Sequence, residues 1–267
     1  MNLLVTLNAG YLHQLRVLLA SILAADPSGC FTFYLCHSSL TEEQLRSAAK
    51  GFDPDRLQIV SVPVSRDFLK DAPVTDRYPT EMYYRSFAAR LLPDTLDRVL
   101  YLDPDIVVLQ PLKELFELPM GDALFAAASH VRRSLQRLNQ LRLDMEPDGL
   151  YINSGVMVMN LAQLRREQDA QAVFSYLEAH QNRLMLPDQD VISGLYGDRI
   201  LPLDPWRWNM TERLFAAEPR GSERARLDWV RQNSAVIHYC GRNKPWKEHY
   251  LGSFDVFYRE AEALLPG

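Results

Sequence analysis

The chain has no Gly-x-Gly-x-x-Gly, for Gly10 and Gly29 are its only glycines before Gly51. That removes the dinucleotide fingerprint, and no glycine-rich loop ending in Lys-Ser/Thr takes its place. Cysteine is scarce: Cys30, Cys36 and Cys240 are an odd number without Cys-x-x-Cys spacing. This argues against a disulfide scaffold or a zinc knuckle and favours a reducing compartment. Positive charge is in deficit, with 29 basic against 34 acidic residues and a net charge of −5, so a general nucleic-acid footprint is absent. No run reaches the ~18 apolar residues of a membrane span. Residues 17–25 imitate a leader-peptide core, but a strand-like segment precedes them, and His13 and Arg16 make a poor n-region. On these grounds the chain reads as soluble and cytoplasmic, with membrane contact at most peripheral.

What is present begins with alternation. Residues 2–7 read as a strand, and Leu12, Leu15, Leu18, Leu19, Ile22 and Leu23 then recur at helical spacing. Residues 31–36 are a second strand, Thr41-Glu42-Glu43-Gln44 opens a helix as a capping box, and residues 58–62 are a third strand. This β-α-β-α-β order predicts a parallel sheet with right-handed crossovers, a Rossmann-like nucleotide-binding half. Without a glycine loop, the phosphates of any nucleotide must be neutralised by something else.

Arg98 to Leu109 supplies the candidate. Two apolar runs flank Asp103-Pro104-Asp105, and acids beside a hydrophobic core cost several kcal/mol each unless something positive meets them. In an extended segment residues two apart point to one side, so Asp103 and Asp105 can converge on one divalent cation, with Pro104 stiffening the backbone between them. The triplet alone proves little. Asp53-Pro54-Asp55 and Asp188-Gln189-Asp190 share its pattern, and the first of these reads as a solvated turn. Only the middle triplet ends a buried run, where open α/β sheets bind ligands.

Other stretches carry weaker signals. Residues 80–92 are helical in pattern and hold Arg85 and Arg90, which read as a solvated face. Residues 130–143 interleave Arg132, Arg133, Arg137 and Arg142 with Leu135, Leu138 and Leu141. That fits an ordinary amphipathic surface helix, and also a face that docks an anionic acceptor or a membrane. Asn153-Ser154-Gly155 opens an apolar strand, with Gly155 permitting close backbone approach or marking a bulge. Residues 161–180 read as one helix. Asp188 suits an N-cap, although Asp, Asn and Gln also read sugar hydroxyls. His238 ends another apolar strand and is followed by Gly241 and Lys244. An Asp/Asp/His set would tilt the choice of ion towards Mn²⁺ over Mg²⁺. Residues 254–267 read as a closing amphipathic helix.

In combination these motifs resemble glycosyltransferase family 8, the retaining α-glycosyltransferases. The match comprises the first strand with Tyr11, Tyr84-Arg85, Tyr101 to Asp105, Tyr151 to Val156, Pro187 to Asp190, and His238 to Gly241 with Lys244-Pro245-Trp246. The resemblance implies a GT-A fold over residues 1–267, a single α/β domain with a mixed, mainly parallel central sheet. Residues 1–110 would form its nucleotide-binding half, and 111–267 its donor-sugar and acceptor half with a closing C-terminal segment. It further implies a UDP-sugar donor (UDP-glucose or UDP-galactose), a saccharide or glycolipid acceptor, and Mn²⁺ with Mg²⁺ as the alternative.

Carried over residue by residue, Asp103, Asp105 and His238 look like metal ligands, and Arg85 and Pro104 like donor contacts. Asn153, Ser154, Gly155, Asp188 and Gln189 look like the sugar pocket, and Gly241 and Lys244 like diphosphate contacts. Thr6, Asn8 and Tyr11 stand where the uridine would sit. The family usually has Asp at the position of Asn8 and Asn or Ser at that of Gly10, so base choice is the softest part of this reading. Gln189, Asp188 and Lys244 are the expected catalytic set. An amide at 189 is a poor nucleophile, which favours same-face substitution. A sugar-phosphate nucleotidyltransferase would need a glycine- and arginine-rich loop that Asn8-Ala9-Gly10-Tyr11 does not supply, and a non-catalytic sugar-nucleotide-binding protein is the remaining alternative. Residues 130–143 and 206–226 are the expected acceptor-facing parts.

Overall fold

The computed structural model describes residues 1–65, 68, 81–217 and 221–267. The strands β1 (Asn2–Thr6), β2 (Phe31–His37) and β3 (Leu57–Pro63) are parallel, joined through the helices Leu12–Ala25 and Glu42–Ala49. The second helix starts on the expected capping box, where Thr41 Oγ1 accepts from Gln44 N–H and Thr41 N–H donates back to the Gln44 side chain. There follow β4 (Arg98–Leu102), β5 (Ile106–Val108), β6 (Phe125–Ala128), β7 (Val156–Asn160), β8 (Ile200–Leu203) and β9 (Val236–His238). Seven of them form one sheet in the order β3-β2-β1-β4-β7-β6-β8, and β5 pairs with β9 in a separate ribbon. β4 joins β1 in parallel, β7 runs antiparallel to β4 and β6, and β8 is parallel to β6. This is the mixed, mainly parallel α/β sheet expected from the sequence.

β4 has no polar alternation because both of its faces are covered. Leu100 and Leu102 pack with Leu3, Val5 and Leu18 on one side, while Val99 and Tyr101 pack with Tyr84, Phe87 and Met157 on the other. A third cluster, including Val107, Met210, Ile237, Phe254 and Phe257, fastens the β5–β9 ribbon beneath the C-terminal helix Asp255–Glu262.

Several local expectations change. The helix read over 161–180 is two, Leu161–Glu167 and Ala170–His180, because Asp169 accepts a hydrogen bond from Gln171 N–H (2.8 Å) and caps the second. Thr80 lies outside the described residues. The rest of its helix is broken into Glu81–Tyr84, a 3₁₀ turn Arg85–Phe87 and Ala88–Leu91. Arg85 is buried rather than solvated, and Arg90 is exposed. Asp53 accepts from Asp55 N–H (3.0 Å), the solvated turn expected there.

Asp188 is not an N-cap. It is the second residue of the helix Pro187–Tyr196, whose cap position is held by Leu186 without a side-chain bond. The residue that anchors this helix is Asp190, fully buried. Arg142 grips it through two 2.9 Å bonds, Tyr151 Oη donates to it at 2.7 Å, and the Met185 and Leu186 N–H groups donate at 2.6 and 3.2 Å. Asp190→Ala would remove the fully buried carboxylate that Arg142, the buried Tyr151 phenol and two backbone N–H groups share. Urea unfolding of that variant should show about 3–5 kcal/mol of lost stability, with no new mass adduct on the protein.

Candidate active site

β4 and β5 belong to different sheets, and residues 103–105 make the turn between them. The two carboxylates therefore do not converge by simple strand alternation. Asp103 continues the face of Tyr101, and the turn at Pro104 and Asp105 folds the second acid back towards it. The Asp103 N–H donates to Gly155 O (2.8 Å), so the end of β4 is tied to the start of β7. Ile106 pairs with His238 across the ribbon, which delivers the imidazole to the same place.

Each of the three side chains has one atom tied down and one left over. Asp103 Oδ1 accepts from Tyr101 Oη (2.5 Å) and Arg85 Nη1 (2.9 Å). Asp105 Oδ2 is bonded to Lys244 Nζ, and buried Asp105 Oδ1 has no hydrogen-bond partner among the described residues. His238 Nδ1 meets Asn209 Oδ1 at 2.9 Å. The remaining atoms face one another, with His238 Nε2 lying 3.6 Å from Asp103 Oδ2 and 3.4 Å from Asp105 Oδ1. All ligand atoms of this trio lie within 4.8 Å of one another.

The histidine tautomer follows from donor logic. Gly155 N–H can only donate, and it donates to Asn153 Oδ1 (3.1 Å). Asn209 Nδ2 donates to that same oxygen (3.0 Å), so Asn209 presents its carbonyl oxygen to His238. The proton is then on Nδ1, and Nε2 turns a lone pair towards the carboxylates. Two hard oxygens, one of them a buried orphan, and one imidazole nitrogen suit a divalent first-row cation. Gly155 is required for space: a Cβ there would lie 2.2 Å from His238 Cε1 and 2.7 Å from Asp103 Oδ2.

Arg85 is the hub beside this trio. It is buried, lies over the Tyr101 ring at 4.4 Å, and pairs through Nη1 with Asp103 (2.9 Å) and Asp188 (3.2 Å). Burial alone opposes its charge, but Asp103, Tyr101 and Asp188 outweigh it and raise its pKa. Asp188 also accepts from Ser154 Oγ (2.8 Å), and burial pushes its carboxyl above the ordinary range despite Arg85. Asn153 Nδ2 makes a long bond, 3.5 Å, to Gln189 Oε1. Burial works against ionisation of Asp105, but the Lys244 ammonium bonded to it holds its pKa below the usual carboxylate range.

Asn153, Ser154, Gly155, Asp188, Gln189, Arg85, Asp103, Pro104, Asp105, His238 and Lys244 thus share one neighbourhood. Lys244 is buried, bonded to Asp105 and to Tyr239 O (2.6 Å), and does not extend into open space. Gly241 adopts φ +91°, a left-handed turn that glycine makes without strain. Tyr11 sets its ring edge against Trp246 (6.4 Å) near Lys244. Thr6 is buried with its hydroxyl on Tyr101 Oη (3.2 Å), and Asn8 Oδ1 accepts from Gly10 N–H (3.0 Å), so both are committed within the protein.

Sequence reasoning missed Asn209 and His130. Asn209 caps the C-terminal end of the short helix Pro205–Trp208, and the next residue, Met210, bridges to β9, with His238 N–H donating to Met210 O (2.8 Å). An amide inside Trp206-Arg207-Trp208-Asn209-Met210 was the only signal. His130 Nε2 donates to Asn209 O (2.8 Å), and burial lowers its pKa to about 4.

A Rossmann-like sheet whose strand ends gather an acidic, metal-competent cluster fits the GT-A class of glycosyltransferases. A family model described as Glycosyl transferase family 8 matches residues 2–249, and the chain belongs to that family. It is 28% identical over 266 residues to the lipopolysaccharide 1,2-glucosyltransferase of Escherichia coli (strain K12), covering 100% of this chain and 78% of that protein. It is 25% identical over 275 residues to the lipopolysaccharide 1,3-galactosyltransferase of Salmonella typhimurium (strain LT2), covering 99% and 78%. In fold it is similar to the galactosyltransferase LgtC, solved in complex with donor and acceptor sugar analogues. That match has a TM-score of 0.86 at 23% identity and covers 100% of this chain and 97% of LgtC.

Two outcomes test this geometry. Asn209→Ala and Gly155→Ala should each weaken Mn²⁺ binding, read by calorimetric titration, by about 10- to 100-fold. His130 should stay neutral in the folded chain until about pH 4, while the unfolded chain takes up its proton near 6.5. Folded stability therefore falls as pH drops between those values, and His130→Gln should flatten that part of a thermal-melt profile.

Proposed function

We propose that this chain is a metal-dependent, retaining hexosyltransferase that moves glucose or galactose from a UDP-sugar to an acceptor hydroxyl. The acceptor class is a cell-surface glycan or lipid-linked saccharide, as the names of the lipopolysaccharide-glycosylating relatives suggest. One observation carries the reading: Asp103 Oδ2, Asp105 Oδ1 and His238 Nε2 are each left unbonded and face one another, with Asp105 Oδ1 buried and orphaned. Residues 1–110 would serve the nucleotide, and 111–267 the sugar and acceptor. The three free cysteines fit a cytoplasmic site of action.

Asp103, Asp105 and His238 would hold the ion, and the imidazole nitrogen would favour Mn²⁺ over Mg²⁺. The chemistry such a cation supplies is Lewis-acid neutralisation of the charge that develops on a departing diphosphate. Lys244 brings a fixed positive charge to the edge of the same cluster, and the left-handed turn at Gly241 lets the backbone approach the phosphates without a side chain. Arg85 orients Asp103 and Asp188 together. Ser154 holds Asp188, and Asn153 steadies the Gln189 amide on the sugar side. Tyr11 is the residue of the first loop best disposed towards the base.

Retention is best explained by same-face substitution. A double displacement needs a carboxylate nucleophile, and both nearby acids of the helix Pro187–Tyr196 are committed, Asp188 to Arg85 and Ser154, Asp190 to Arg142 and Tyr151. Incubation with Mn²⁺ and UDP-glucose or UDP-galactose should release uridine diphosphate. Asp103→Asn should slow that release on the order of a thousandfold, about 4 kcal/mol of lost charge stabilisation. Pyrophosphate exchange, or binding without turnover, would overturn the assignment. A covalent hexosyl adduct trapped in Gln189→Glu would overturn the same-face route alone.

A further inference from the structure

The helix Arg133–Arg142 is built inside out and buries none of its residues. Its polar side chains face the body of the protein. Gln136 Nε2 donates to Gly149 O (2.6 Å), and its Oε1 accepts from Tyr151 N–H (3.1 Å). Gln140 donates to Pro147 O and Gly149 O (2.9 Å each), and Arg142 grips Asp190. Its leucines face outward: Leu135, Leu138 and Leu141, roughly one turn apart, are 41%, 59% and 78% exposed. Met185 and Leu186 add exposed apolar surface near its C-terminal end, where Arg142 also holds Arg183 O (2.6 Å). An ordinary amphipathic surface helix turns the other way, so the expectation from sequence is corrected here.

Arg132, Arg133 and Arg137 are exposed beside the leucines, and none of them makes an ion pair among the described residues. A basic cluster next to an outward leucine strip, in a chain of net charge −5, is the signature of a helix lying in a lipid interface. We propose that this helix docks the protein on an anionic phospholipid bilayer, its leucines in the acyl boundary and its arginines at the phosphates. A second copy of the chain is disfavoured as the occupant, because a two-fold contact would set arginines against arginines. Asp144, the first acid after the helix, is already paired with Arg183 and His180. Glu146 and Asp148, exposed beyond it, mark where the basic footprint ends.

The docking helix is also wired to the site. Through Gln136 and Gln140 it holds Gly149–Tyr151, which leads into Asn153-Ser154-Gly155, and through Arg142 it holds Asp190, beside Asp188 and Gln189. A bilayer under this helix would present lipid-linked acceptors to those segments, the one point that rests on the proposed function.

Vesicle co-sedimentation at low salt tests the docking itself. The protein should partition onto phosphatidylcholine vesicles containing phosphatidylglycerol and not onto phosphatidylcholine alone. Replacing Arg132, Arg133 and Arg137 together by Gln should weaken partition about fivefold per arginine, roughly a hundredfold in all. Leu138→Ser with Leu141→Ser should weaken it at least about tenfold. Both variants should keep wild-type circular dichroism and lipid-free donor hydrolysis. Equal partition of wild type and variants, or equal binding to neutral vesicles, would overturn the proposal. So would a lipid-free dimer that Leu138→Ser dissolves, since it would assign the face to a second copy. Loss of donor hydrolysis in the wild-type protein would strike the proposed function and leave the vesicle result standing.

Discussion

The site is governed by a shortage of positive charge in a dry place. Among the described residues, Asp103, Asp105 and Asp188 are gathered at one end of the sheet and meet only the Arg85 and Lys244 cations. Arg85 is shared between two carboxylates through a single nitrogen, and burial leaves Asp188 with a raised pKa even so. In a low-dielectric setting such a deficit is expensive, and it is tolerated where a ligand of opposite charge supplies the balance. Asp190, two residues on, shows the contrasting solution, with Arg142, Tyr151 and two backbone amides satisfying its oxygens.

The sheet topology puts these groups together. Parallel strands aim their C-terminal ends at one edge, where Thr6 and Asp103 lie, and ligands of open α/β sheets bind beyond that edge. β7 runs against β4, so it is the start of β7, with Asn153-Ser154-Gly155, that reaches the same edge. The β5–β9 ribbon then bridges back from the far end of the chain and sets His238 on the absent side chain of Gly155. One glycine, one reversed strand and one two-stranded ribbon decide whether three ligands meet.

Much of this was legible in the sequence, and the boundary has a physical basis. The β-α-β-α-β order, the capping box at Thr41 and the acids after β4 follow from local periodicity and chain chemistry, which act over a few residues. Local reading erred where tertiary partners override propensity. Arg85 looks like a surface residue until Asp103 and Asp188 close around it, and the leucines of Arg133–Arg142 look inward-facing until Gln136 and Gln140 claim the inner side. Asn209 was invisible because its importance lies in what it touches, an imidazole 29 residues further along.

By itself the sequence determined the first three strands and the helices between them, the absence of a glycine-rich phosphate loop after the first strand, and that Asp103 and Asp105 end a buried run. Hydrophobic spacing and turn chemistry suffice for those, since each is settled between near neighbours. Only the tertiary structure decided which oxygen of each carboxylate is left free, which nitrogen of His238 bears the proton, and which way the Arg133–Arg142 helix turns its leucines. Those depend on distances between groups far apart in the chain, and hydrogen bonds and ion pairs act only across a few ångströms.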